Sequence, residues 1–555
     1  MSTPVSEPVA APPARTSRLL DGIERLGNRV PHPVMMFLYL IAVVAVISAL
    51  LSWAGVSVTE EIAIPVPIQE LTDLHHALGG SIVPYDVYTQ QVVTLPDYVI
   101  QEQTIPVRSL LDVEGLRFIF TSFVANFAGF GVVAVTFVAM AGVGVAEHAG
   151  LMGALIRRLV KVAPRRLIAF ILIFVGVLSS VASDAGYLIL IPLGAAAFLT
   201  LGRHPLAGMA AAFAGVGAIF AVNVLITPID SMVTEITNEA IGSGGEPLTV
   251  TANFFFSVVS TFVLTLVAGL VTQRIVEKRL GAYDPSEGAA DATVEELSPD
   301  EQAAEARGLR YSMYGLAISV AAVLALTLPP GSPLRDPDTG AIVGPTPFMD
   351  SLLFVITLIF LVCGICYGIG ARTISGSGDV IEGVTKTFSG LAGLVFMLLM
   401  IAQFIAFFNY TNLPRVAAVE MAHLLERASI GGLALLVGFI LVIVVLDIIL
   451  PGVVPKWAIF APVFIPIFSR LGVTPQTVLA AYRIGDSPMN VVTPLMVYLP
   501  FIVTIAQRYK RDAGIGTVIA LMMPFVVALL VVWVILFVVW FLLGIPLGPG
   551  YPIQT

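Results

Sequence analysis

Asp184-Ala185-Gly186-Tyr187-Leu188-Ile189-Leu190-Ile191-Pro192 and the residues that follow it, to Gly215, recur 270 positions later. The second copy starts Val454-Pro455-Lys456-Trp457-Ala458-Ile459-Phe460-Ala461-Pro462 and ends at Gly485. No gap is needed. Pro192 meets Pro462, Phe198 meets Phe468, Leu201 meets Leu471 and Gly202 meets Gly472. Pro205 meets Pro475, Ala210 meets Ala480, Ala211 meets Ala481 and Gly215 meets Gly485. Both copies lie where the apolar stretches are most broken by Gly and Pro. In a membrane protein, paired interrupted segments of this kind point to a transport site.

The composition supports that setting. Of 555 residues, 57% are hydrophobic and only 12% charged, against roughly 25% charged in soluble domains. Val34–Trp53 and Met522–Leu543 exceed the ~18 apolar residues that mark a membrane span. The chain reads as an all-α polytopic membrane protein in a lipid bilayer. Its net charge of -9 says little about partners, because the acids fall mostly in loops. Nothing in it suggests nucleic-acid binding. The first 33 residues are polar and rich in Pro and Ala, too long for a signal-peptide n-region, so the first helix is expected to be retained.

Lys and Arg placement sets the topology. Residues 1–33 carry Arg15, Arg18, Arg25 and Arg29 and are expected in the cytoplasm. The loop near 55–115 should lie outside, and Arg157 to Arg166 should return to the cytoplasm. A first half, 34–272, then contains a hairpin at about 167–200, broken at Ser183–Gly186, and a broken helix at about 206–236. Residues 273–311 read as a charged cytoplasmic linker. The second half, 312–544, contains a hairpin at about 433–470 and a broken helix at about 475–506, before a tail at 545–555. The sum is about nine transmembrane helices plus two re-entrant hairpins. One hairpin opens from inside and the other from outside, which makes an inverted repeat suited to alternating access.

Charges inside a membrane are costly and usually functional. Asp184, Asp230, Asp447, Lys456, Arg483 and Asp486 all lie at the breaks or inside the repeats. Unwound backbone at such depth survives only beside protein or water, and helix N-termini there favour an anion. Arg483 can clasp a carboxylate or sulfonate, or it can pair with Asp486 three residues on. Asp230 and Asp486 are candidates for coupling to protons or another ion, with helix capping as the plainer role for Asp230. Trp457 can stack on an aromatic substrate or anchor its hairpin. Pro475 and Pro494 read first as backbone shapers.

Other chemistries find no signature. Cys363 and Cys366 sit alone in an apolar run and read as packing. His204 and His423 receive no role. Metal and nucleophile constellations are absent from the sequence, and so is a GxxxxGK[ST] phosphate loop. No cofactor is called for beyond a coupling H+ or Na+, and no enzyme activity is expected.

Several longer motifs resemble the p-aminobenzoyl-glutamate transporter (AbgT) family. They are Arg483-Ile484-Gly485-Asp486-Ser487 with Asn490 and Pro494, Ser183-Asp184-Ala185-Gly186-Tyr187, Leu201 to Gly208, Ala402-Gln403-Phe404 to Asn412, and Ala480-Ala481-Tyr482-Arg483. The similarity runs from about Leu26 to Pro549. It implies a dimeric inner-membrane transporter with nine helices and two hairpins per subunit. Its members take up p-aminobenzoyl-glutamate or expel sulfonamides, driven by the proton gradient. It also implies functional roles for Asp230, Trp457, Pro475, Arg483, Asp486 and Pro494.

One region departs from that pattern. The family's second hairpin tip reads like Gly-Ser-Ala-Ser-Ala-x-Trp, whereas this chain has Pro451-Gly452-Val453-Val454-Pro455-Lys456-Trp457. A hydroxyl expected near substrate is Val454, and an upstream Asn is Asp447. The first half reads Asn223 to Pro228 where the family tends to have Gly before the acid. Asp184, Asn223, Asp447, Val454 and Asn490 complete the candidate site. The reading is a secondary transporter of a small anionic aromatic compound. An ion channel, or a transporter of a different carboxylate, is the alternative. A channel builds its pore from repeated carbonyls at a symmetry axis, whereas here Asp184 faces Val454 and Tyr187 faces Trp457.

Overall fold

The computed structural model describes residues 33–65, 85–86, 91–92, 98–162, 164–182, 186–241, 245–288, 298–342, 346–427, 431–448, 452–493 and 495–554. The protein is mostly helical. Among the described residues, eight helical segments are long and apolar enough to cross a membrane: Val34–Trp53, Val113–His148, Phe254–Leu280, Pro299–Thr327, Pro347–Ala371, Ala392–Tyr410, Val453–Arg470 and Ile515–Leu542. Between them lie shorter apolar helices that belong to the two repeats.

The first repeat comprises α1 (Ile168–Ser179), α2 (Ile191–Thr200), α3 (Pro205–Phe213) and α4 (Pro228–Ile241). The second comprises α5 (Gly432–Asp447), α6 (Val453–Arg470), α7 (Pro475–Asp486) and α8 (Leu499–Tyr509). A 12-residue helix such as α1 is only about 18 Å long, short of the ~30 Å hydrocarbon core. Its ends therefore need polar partners inside the protein.

The two repeats share local geometry at the level of single residues. Thr200 and Arg470 each end a helix, and Pro205 and Pro475 each begin the next. Pro suits a first helical position, where its missing N–H costs nothing. Between them, Gly202 and Gly472 adopt φ of 70° and 72°, a left-handed conformation that glycine tolerates best. Arg203 N–H closes the first turn on Phe198 O at 2.9 Å, and Val473 N–H closes the second on Phe468 O at 3.0 Å. Deeper in, a Cβ on Gly215 would lie 2.9 Å from Ile173 Cα, and one on Gly485 would lie 2.7 Å from Ile443 Cβ. Ile173 and Ile443 are themselves 270 positions apart. Small residues thus let α3 close on α1 and α7 close on α5.

The structure departs from the sequence reading in four places. The loop after the first helix holds strands Ser57–Pro65 and Tyr98–Pro106, paired antiparallel, so the chain is not purely helical. β-Branched residues there, Val58, Thr59, Ile62 and Ile64, favour the strand. The second span starts at Val113, inside the end of the expected loop near 55–115, and is capped by Asp112, which accepts Gly115 N–H at 2.7 Å. The charged linker is shorter than expected. Ser298 and Glu301 form a reciprocal capping box and start a 29-residue helix inside it. Finally, Leu413–Arg427 forms a helix that hydropathy did not pick out.

Cys363 and Cys366 lie on the Pro347–Ala371 helix. A Cβ on Gly315 of the Pro299–Thr327 helix would come within 2.9 Å of Cys366 Sγ. Both thiols are free and serve packing between these two helices.

Candidate functional site

Two helix interruptions meet at the centre of the molecule. After α3 the backbone loosens into a π-helical turn, Ala214–Ala218, before α4 resumes at Pro228. After α7 it tightens into a 3-10 turn, Pro488–Val491, before α8. The carbonyls freed by the first break find donors on the second. Ser487 Oγ–H donates to Ala218 O at 3.0 Å, Asn490 Nδ2–H to Gly217 O at 3.2 Å and Arg483 Nη1–H to Ala221 O at 2.9 Å. In return Ser487 Oγ accepts Ala221 N–H at 3.3 Å. Breaking helices inside an apolar body is tolerable only with such satisfaction.

Asn223 closes the first break on its other side. It is 1% exposed. Its Nδ2 donates to Val177 O at 2.8 Å and Ser180 Oγ at 3.0 Å, while its Oδ1 accepts Leu225 N–H at 3.0 Å. Its amide is spent on holding the break to the end of α1.

Asp230 takes the capping role weighed for it and adds an ion pair. Its carboxylate accepts Thr227 N–H at 2.7 Å and Thr227 Oγ–H at 2.8 Å, while its own N–H reaches Thr227 Oγ at 3.3 Å. This reciprocal cap starts α4. The same carboxylate forms an ion pair with Arg483 of the other half. The alternative pairing of Arg483 with Asp486 is therefore corrected: Asp486 turns to Lys456, and Arg483 to Asp230.

The second tip holds the densest charge. Lys456, fully buried, makes ion pairs with Asp447 at the end of α5 and with Asp486 at the end of α7. Tyr482 Oη–H donates to Val453 O at 2.7 Å and lies 3.3 Å from Asp486 Oδ1. The five charges at the two breaks are two cations and three carboxylates, one negative charge in excess. Among the described residues, Asp447 Oδ2 and Arg483 Nε are buried with no hydrogen-bond partner.

Trp457 is fully enclosed. Its ring stacks on Tyr482 at 4.5 Å, and its Nε1–H reaches Thr237 Oγ at 3.0 Å and Val233 O at 3.1 Å on α4. In this conformation it anchors the tip to the other half. Its repeat counterpart, Tyr187, stacks on Tyr498 just before α8, ring centroids 4.4 Å apart. Each tip thus rests an aromatic ring against the half it does not belong to.

The remaining candidates divide. Val454 is buried in the tip beside the Lys456 cluster. Pro475 is not brought to the cluster. It starts α7, roughly 16 Å of helix from Asp486, where Gln476 and Thr477 bind Pro552 O and Ile553 O of the C-terminal segment at 2.7 Å each. Asp184 and Pro494 lie outside the described residues. Thr227, Tyr482, Ser487 and Tyr498 join the site without having been singled out. Tyr482 and Ser487 flank the charged pair Arg483 and Asp486 and were legible from that neighbourhood. Thr227 and Tyr498 carry no such signal. Among the described residues, no three His, Cys, Asp or Glu side chains converge as a metal site.

The chain matches the family model described as "AbgT putative transporter family" over residues 18–555. The chain belongs to the AbgT family. A p-aminobenzoyl-glutamate transport protein of Escherichia coli (strain K12) is 33% identical over 542 residues, 97% of this chain and 98% of that protein. Two solved structures are similar in fold, each with a TM-score of 0.80, 35% identity and 100% of its chain covered. One is the Alcanivorax borkumensis YdaH transporter, matched by 94% of this chain. The other is Neisseria gonorrhoeae MtrF, from a class of antimetabolite efflux pumps, matched by 96%. This AbgT-family chain is thus a multi-pass membrane protein built like known transporters.

A second feature of this AbgT-family chain lies apart from the charged centre. A cavity of about 1090 Å³ opens between the Leu151–Val162 helix, α2 and the Pro299–Thr327 helix. Arg158, Lys161, Arg165 and Arg310 line it, and Arg157 there is ion-paired with Glu305. One of its walls is α2.

Proposed function

We propose that this chain is a secondary active transporter of small anionic aromatic compounds. It takes up p-aminobenzoyl-glutamate or expels sulfonamide-type antimetabolites, coupled to the proton gradient by alternating access. The curated relative and the MtrF description supply the two substrate classes. The single observation that carries the reading is the part-buried Asp230–Arg483 ion pair, which joins the two halves at their breaks.

The chemistry follows from that pair. Arg483 presents a planar guanidinium matched to a carboxylate or sulfonate, and Asp230 occupies it when no substrate is bound. An arriving anion displaces Asp230. Displacement frees the Asp230 carboxylate from its counter-ion and makes it the coupling group, so substrate binding and proton uptake are linked. Asp447 and Asp486 form a second set of exchangeable partners around Lys456. Trp457 and Tyr187, one from each repeat, are the hinge contacts between halves. In this reading residues 34–272 and 312–544 form the two inverted units, with the N-terminus in the cytoplasm, in an inner-membrane homodimer.

Proteoliposomes test the proposal. With p-aminobenzoyl-glutamate or a sulfonamide added, the purified protein is expected to move substrate and protons together. If neither compound crosses and no protons move, the substrate class is wrong. Single-channel currents would replace the transporter reading with a channel.

A further inference from the structure

We propose that the Lys456 ammonium is a tethered cation, filling a monovalent-cation site at the second tip, so that this chain works without a bound sodium ion. The inference deepens the transporter reading and rests on it for its functional meaning, but the site itself stands on geometry alone. Two carboxylates, Asp447 at the end of α5 and Asp486 at the end of α7, are each 2% exposed. They come from helices on either side of the tip and converge on one point. That point is occupied by Lys456 Nζ, from the first turn of α6. Tyr482 Oη and the Val453 carbonyl sit at its edge.

Oxygen donors converging on a single positive charge are what an alkali cation needs. Two carboxylates held together in an apolar body repel and demand a counter-charge. Lys456 supplies it covalently, and is itself fully buried. An ammonium on a four-carbon stem is a compact point charge with rotatable donors, close to a metal cation in its electrostatic role. Asp447 Oδ2 is left without a hydrogen-bond partner, an acceptor that a freely placed cation would engage and that the tether does not reach. Asp447 and Lys456 are also the two charges by which the tip departs from the pattern it resembles, and they meet each other.

Sodium binding to purified protein tests this independently of transport. Wild-type protein in detergent is expected to bind no 22Na+ saturably, and its melting temperature is expected to be the same in sodium, potassium and choline chloride. Lys456→Ala empties the site and is expected to gain saturable 22Na+ binding and a sodium-specific rise in melting temperature. Removing one of the two carboxylates in Asp447→Asn/Lys456→Ala should weaken that binding about tenfold or more. Saturable sodium binding by the wild type, abolished by Asp486→Asn, would overturn the proposal. So would a folded Lys456→Ala variant that ignores sodium. If Lys456→Ala fails to fold, Lys456→Gln, which keeps most of the stem and removes the charge, carries the same test. A protein that transports neither candidate substrate but shows this sodium pattern would refute the substrate reading and leave the tethered cation standing.

Discussion

The two repeats have nearly the same scaffold and a different electrical character. Gly202 and Gly472 make the same left-handed turn, and Gly215 and Gly485 make the same close approach to Ile173 and Ile443. At position 187 or 457 each tip sets an aromatic ring against the opposite half. Yet the second tip and its flanking helices bury Asp447, Lys456, Arg483 and Asp486. At the corresponding positions the first has Val177, Gly186, Phe213 and Val216. A duplicated fold can keep its backbone while concentrating chemistry in one copy. Lys456, Asp447 and Asp486 satisfy one another within that copy, whereas Arg483 takes its counter-charge, Asp230, from the other half.

The comparison breaks most sharply at the cross-half pair. Arg483→Ala leaves the part-buried Asp230 uncompensated, and the loss should fall below the ~3–5 kcal/mol of a fully buried pair. Transport of p-aminobenzoyl-glutamate in proteoliposomes is expected to fall below detection, with the protein still found in the membrane fraction. A wild-type rate would remove Arg483 from the mechanism. The matched first-repeat position, Phe213, carries no charge, so Phe213→Leu should leave the pair and most of the rate intact.

The next effect concerns the second tip's own cluster. Lys456→Ala should destabilise the protein by about 3–5 kcal/mol, since it strands Asp447 and Asp486 together. Asp447→Asn/Lys456→Ala, which removes a charge of each sign, should recover more than half of that loss in chemical denaturation. If the double variant is as unstable as the single one, the three groups do not act as a unit.

The scaffold predictions are smaller and symmetric. Gly215→Ala and Gly485→Ala each force a methyl into backbone or side chain on the facing helix and should cost about 1–3 kcal/mol. Gly202→Ala and Gly472→Ala place a Cβ in a left-handed turn and should cost about 1–2 kcal/mol each. Unequal losses within either pair, read from melting temperature, would show that the two copies differ in scaffold as well as charge. Val454→Ser is the mildest change. It restores a hydroxyl to the tip and is expected to raise activity toward p-aminobenzoyl-glutamate, measured as initial uptake rate, without changing the amount of folded protein.

Much of this contrast was legible before any coordinates. The matched Gly and Pro positions disclosed the repeat, because turns and helix starts constrain single residue types. The buried charges disclosed the site, because apolar stretches rarely carry them. Their pairing was not legible. Arg483 and Asp486 sit three apart on one helix, and local spacing favoured joining them, but the partner of each comes from elsewhere in the chain. Asp230 is 253 positions from Arg483, and only the packing of the halves brings it there. The strand pair at 57–65 and 98–106 escaped for a related reason: its pairing spans a long insertion, and helical hydropathy on both sides masks it. Pro475 was drawn toward the site by resemblance, although its place at the start of α7 holds it at the far end from Asp486.

The central claim is that an anion takes the place of Asp230 on Arg483 and that the released Asp230 takes up a proton. The most direct test is proton movement into proteoliposomes triggered by p-aminobenzoyl-glutamate or a sulfonamide, compared between wild type and Asp230→Asn. Substrate-dependent proton flux in the wild type, with substrate binding but no proton flux in Asp230→Asn, is the predicted result. Equal proton flux in both proteins, or substrate crossing with no proton movement in the wild type, would contradict it.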